Sequence, residues 1–166
     1  METGIRKFAA KAGGITAICT VVICGLLFFF MVKTDMALAD ICVDMSITVG
    51  CTCLCCTLIQ ILTLKKAVKK GDIPTVGNLE DQAAYVLVPK NPYALMIYVS
   101  LLATLLFGFA PSGILALILG DGAMPRMGYV IFKALMAGLG GGLGTYHANI
   151  FVVGLYQEQL AAVPEA

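Results

Sequence analysis

Four apolar stretches, each close to the length a helix needs to cross a bilayer, take up most of the 166 residues, and the basic residues gather on one side of them. About 20 apolar residues are needed to cross the hydrocarbon core as a helix, and the segments at 14–32, 39–64, 93–119 and 127–156 all reach that length. Hydrophobic residues make up 60% of the chain and charged residues 13%, with a mean hydropathy of +0.93. A water-soluble fold of this size has too little interior to hide so much apolar surface. Inside lipid the backbone has no water to bond, so each segment is expected to be helical. The fold class is therefore an all-α integral membrane protein, a single transmembrane domain over 1–166 with four spans and a loop at 65–91.

Charge placement sets the expected orientation. Arg6, Lys7, Lys11, Lys65, Lys66, Lys69, Lys70 and Lys90 fall on one side of a four-span arrangement, and only Lys33, Arg126 and Lys133 fall on or near the other. By the positive-inside rule both termini and the 65–91 loop are cytoplasmic, in a multi-pass protein of a cytoplasmic-type membrane. The basic start, apolar core and Ala37-Leu38-Ala39 sequence also resemble a signal peptide. The core is long for that role and Lys33 separates it from the Ala-Leu-Ala site, so the first span is expected to be retained. In the loop, Gly71-Asp72-Ile73-Pro74 and Val76-Gly77-Asn78 read as turns, and 78–82 as a short helix at the membrane surface. The basic residues are few and not interleaved with aromatics, which argues against nucleic acid as a partner.

Ionisable side chains inside a span cost about 2.5 to 3.5 kcal/mol on insertion scales, so each needs a partner or water. Asp44 and Lys133 lie about six residues into the second and fourth spans, which run in the same direction. They are expected at similar depth, where an ion pair is open to them. Asp40, one turn before Asp44, shares its face nearer the outer water. Two readings stand side by side: a polar or ion-linked site, and a Lys133 that snorkels to the headgroups while the aspartates help set helix register. Deeper in the fourth span come His147, the only histidine, and Asn149, with Gln60 at comparable depth in the second. These three form a candidate inner cluster, set against plain interhelical hydrogen bonding.

Gly138, Gly140, Gly141, Gly142 and Gly144 fall within seven positions of the fourth span. In water such a run weakens a helix; in lipid it permits close backbone approach. Gly138 with Gly142 and Gly140 with Gly144 make two small-residue stripes, hence two packed faces. One face is expected to meet the chain's own bundle and the other a second protomer or a partner subunit, which is the argument for a homo-oligomer. The third span is interrupted by Gly108, Pro111 and Gly113, which predicts a kink near Pro111 or a short unwound segment whose carbonyls from Gly108 to Pro111 are candidates to line a permeation path.

Seven cysteines lie mostly within the apolar stretches. Cys51, Cys53, Cys55 and Cys56 cluster in the second span, and although a C-x-x-C or soft-metal reading exists, mid-bilayer burial makes thiols inert and packing is favoured. A single histidine cannot build a histidine-rich metal site, and no cofactor is expected. The preferred expectation is a small transport or channel-type protein with a polar site between the second and fourth spans and a small-molecule or ion substrate of unspecified identity. The alternatives are a non-catalytic accessory subunit of a membrane complex, and a thiol-redox or soft-metal protein using the second-span cysteines; an enzyme is the less favoured class.

Overall fold

The computed structural model describes residues 2–74, 88–119 and 122–161, and the expected surface helix at 78–82 lies outside them. Four of its helices are long and apolar enough to cross a membrane. Helix α1 (Glu2–Met31) begins twelve residues before the apolar run, so Arg6, Lys7 and Lys11 ride on the helix rather than on a tail. A two-residue strand β1 (Met36–Ala37) leads into α2 (Leu38–Lys70). Glycine stops α2: Gly71 adopts φ 75°, and its N–H turns back to the carbonyls of Ala67 and Val68. Only glycine takes that left-handed conformation at no steric cost, and Lys69 and Lys70 complement the negative end of the helix dipole.

The third span starts on a side-chain cap. Asn91 accepts hydrogen bonds from the N–H groups of Tyr93 (2.9 Å) and Ala94 (3.4 Å), and Pro92 takes the first helical position, where its missing N–H costs nothing. It then runs as α3 (Pro92–Ala103), a π-helical turn (Thr104–Phe109) and α4 (Ala110–Leu119). The expectation of an unwound segment near Pro111 is corrected here: the backbone stays helical and widens by one residue per turn just ahead of the proline. A ring at 111 clashes with a carbonyl one α-turn back and offers it no N–H, and a π turn relieves both. The Ala110 N–H reaches the Leu105 carbonyl, and Ser112 Oγ donates to the Gly108 carbonyl at 2.6 Å. That carbonyl is thus satisfied, and Gly108 itself is pressed against the backbone of Ser46 in α2. It lines no path.

The fourth span follows strand β2 (Ala123–Met124) and comprises α5 (Arg126–His147), a second π turn (Ala148–Val152) and α6 (Val153–Ala161). It is the most enclosed of the four, and α1 the least. The outward faces are apolar, with Ile18, Leu26, Phe30, Leu101, Leu117 and Ile131 all exposed, a surface far beyond what a monomer presents to water.

One end of the bundle is tied. Strands β1 and β2 pair antiparallel, Met36 opposite Met124 and Ala37 opposite Ala123. Asp35 Oδ1 accepts from the N–H of Arg126 at 2.8 Å, occupying the start of α5. Arg126 answers with its guanidinium, Nε to the Val32 carbonyl and Nη2 to the Phe29 carbonyl, both at 2.7 Å, covering the end of α1. Each charge thus meets the helix end of opposite sign. Together these contacts hold the starts of α2 and α5 level.

Candidate functional site

Because α2 and α5 start level and run parallel, side chains a similar number of residues along them sit at the same height. Asp44 and Lys133 lie six and seven residues in, about 9 to 10 Å along each axis. Lys133 Nζ donates to Asp44 Oδ2 at 2.6 Å. The Tyr129 hydroxyl, one turn before Lys133 on α5, donates to the same oxygen. Oδ1 is left without a protein partner among the described residues. The two ends of the pair differ in surroundings: the Lys133 side chain is 8% exposed and that of Asp44 38%. The ammonium rests 4.3 Å from the Phe28 ring centroid and 5.8 Å from that of Tyr129. Two electron-rich faces and a carboxylate therefore replace the water it has given up.

The exposed side of the pair opens into a cleft of about 650 Å³ at the tied end of the bundle. Asp40 and Asp44 line it from α2, Lys133 from α5, and Lys33 and Thr34 from the connection after α1, with Met31, Val32, Met36, Val43 and Ile47 as apolar wall. Asp40 and Lys33 are exposed and make no ion pair among the described residues. Asp40, Asp44 and Lys133 are thus brought to one cleft.

The expected inner cluster is not assembled. His147 Nδ1 bonds the Leu143 carbonyl at 3.0 Å, and Asn149 Nδ2 donates to the Thr145 carbonyl at 2.8 Å, each within its own helix. Neither meets Gln60. The reason lies in the face each occupies: Asn149 is buried, whereas His147 turns toward α3 and stacks on Phe151 with centroids 6.0 Å apart. His147 lines a separate cleft of about 300 Å³ at the end that carries the termini, with Arg6, Tyr98, Tyr146 and an apolar remainder.

Between the two clefts the helices close on glycine. A methyl group at Gly142 would stand 2.9 Å from Ala17 Cβ, and one at Gly138 2.8 Å from the Ala17 carbonyl of α1. On the other stripe, a methyl group at Gly140 would stand 2.8 Å from Val49 Cγ1, and one at Gly144 2.9 Å from Cys53 Sγ of α2. Both stripes are therefore used inside one chain. The face expected to meet a second protomer is covered by α1, and the glycine argument for an oligomer falls with it.

The second-span cysteines point in different directions. Cys51 and Cys55 are exposed, Cys53 is buried 4.0 Å from Thr57 Oγ1, and Cys56 faces Gly141. They do not converge on one point. The residue that sequence reasoning missed is Tyr129, although its spacing of four from Lys133 put it on the same face. Phe28, the other wall of the ammonium, carries no signal in sequence beyond being aromatic. No protein-family model, curated protein or solved structure matches the chain.

Proposed function

We propose that this chain is a small multi-pass membrane transport protein of the carrier type, with both termini cytoplasmic and its solute site at Asp44 and Lys133. The observation that carries the reading is the half-open ion pair. One carboxylate oxygen is fully engaged by Lys133 and Tyr129, and the rest of the group borders a solvent-sized cleft. A pair present only for stability is outcompeted by apolar packing of the same volume, so a charged pair kept at the mouth of a cleft points to a ligand. Two clefts at opposite ends, separated by glycine-tight packing, favour a carrier over an open pore. The basic residues clustered at the end with the termini support the orientation.

The test is uptake of labelled cationic, anionic, zwitterionic and neutral small solutes by sealed proteoliposomes. At least one class should enter faster than into protein-free vesicles, and Asp44→Asn should abolish that uptake at equal reconstituted protein. The double variant Asp44→Asn/Lys133→Met, which strands neither charge, guards against a folding defect and should be equally inactive. Uptake no faster than in empty vesicles for every class, or full activity in the double variant, overturns the reading.

A further inference from the structure

The cleft holds charges of both signs, and they are not all spent on one another. Asp44 Oδ2 is saturated by Lys133 and Tyr129, but Oδ1 is free, and the Asp40 carboxylate stands one turn earlier on the same face of α2. Across the cleft the Lys33 ammonium is exposed and makes no ion pair among the described residues. Lys33 and Lys133 against Asp40 and Asp44 leave the cleft formally neutral. A singly charged guest would therefore unbalance it, whereas a guest carrying both signs would not. Beside the carboxylates the wall is aliphatic, with Val43 and Ile47 on α2.

From this arrangement we infer that the site takes a small zwitterion, a primary ammonium joined by a short spacer to a carboxylate or a phosphodiester. This deepens the proposed function and rests on Asp44 and Lys133 being its solute site. The ammonium places its N–H donors on Asp44 Oδ1 and Asp40, and the anion lies against Lys33. Hydrogen bonds between ionised partners are the strong ones, and a primary ammonium makes up to three. A quaternary ammonium makes none and calls instead for aromatic walls. The two rings nearby, Phe28 and Tyr129, face Lys133 and are not part of the cleft lining. The same chemistry is carried by a free amino acid and by a phosphatidylethanolamine headgroup, since the cleft has an aliphatic side at one end of the bundle.

Calorimetric titration of the full chain in phosphatidylglycerol nanodiscs tests the inference, with β-alanine, glycerophosphoethanolamine, ethanolamine, acetate and glycine betaine as probes. One of the two primary-amine zwitterions should bind about tenfold or more tightly than ethanolamine, acetate or betaine, the gain expected of a second charge-assisted contact. Lys33→Gln should reduce the zwitterion to the affinity of ethanolamine, and Asp40→Asn should weaken it toward that of acetate. Both residues are exposed, so these variants should fold normally. Repetition in phosphatidylethanolamine discs identifies the source: weakened zwitterion binding there assigns the site to the lipid headgroup, unchanged binding to a free solute. Equal affinity for a singly charged or quaternary probe, no binding of any probe in phosphatidylglycerol discs, or indifference to Lys33→Gln would overturn the inference. Zwitterion binding without uptake removes the carrier reading and leaves the ligand class standing. Uptake of a singly charged solute with no zwitterion binding does the reverse.

Discussion

Asp44 and Lys133 form one ion pair with two unequal ends, and the inequality predicts which loss hurts more. Lys133 is 8% exposed, so removing the Asp44 charge strands a cation that water hardly reaches. Asp44 is 38% exposed, so removing Lys133 leaves a carboxylate that can hydrate from the cleft. Breaking a fully buried pair costs about 3 to 5 kcal/mol; at this half-open site Asp44→Asn should cost about 2 kcal/mol and Lys133→Met about half as much. The double variant should recover part of the Asp44→Asn loss. Unfolding midpoints in mild detergent rank the three, and Lys133→Met emerging as the more damaging single change would refute the account. Tyr129→Phe removes one of two donors to Asp44 Oδ2 and keeps the ring beside the ammonium. It should cost about 1 kcal/mol, measured the same way. The pairing of Asp44 with Lys133 was legible in sequence because depth follows from counting residues along parallel spans. The third member was not weighed, because attention to charge passes over a phenol.

Among the elements, α5 determines how the bundle closes, and its glycines are not equivalent to those elsewhere. Gly142 has Ala17 Cβ and the Gly13 carbonyl at 2.9 and 3.0 Å from where a methyl group would stand, whereas Gly14 on α1 has nothing within 4 Å. Gly142→Ala should therefore separate α1 from α5 and destabilise by about 1 to 3 kcal/mol. Gly14→Ala meets no neighbour and should stabilise α1 by up to about 1 kcal/mol through helix propensity alone. Equal shifts in the two unfolding midpoints would mean that the helices are not packed through this stripe. The spacing of the glycines announced two packed faces, and there are two. What spacing leaves open is which helix fills each face, and α1, plain and apolar, carries no mark that it is the occupant. The third span has the same limit: Pro111 announced a disturbance, but whether a helix kinks, unwinds or widens depends on neighbours such as Ser46, which presses on Gly108 from another span. Arg126 and Asp35 hold helix ends because the two connections meet, a long-range fact absent from local pattern.

For the molecule as a whole, the two ends carry very different numbers of lysines and arginines. At the tied end Arg126 is spent on the carbonyls of α1 and Lys133 on Asp44, which leaves Lys33. At the other end Lys65, Lys66, Lys69 and Lys70 line the last turns of α2, and Arg6, Lys7 and Lys11 the first turns of α1. Lysine and arginine near span ends set orientation by their bias, so the end with the termini should stay in the cytoplasm and the cleft at Asp44 should face outward. A membrane-impermeant maleimide distinguishes the two orientations in intact cells. The seven native cysteines lie within the apolar helices, away from a reagent that stays in water, and should react little. Lys33→Cys places a thiol on an exposed residue at the cleft, and Lys69→Cys places one on an exposed residue past the apolar run of α2. The first should label in intact cells and the second only after permeabilisation. The reverse pattern would turn the protein over and put the cleft on the cytoplasmic side. Solute would then meet Asp44 from within, and the clefts would exchange roles without any change in the ion pair itself.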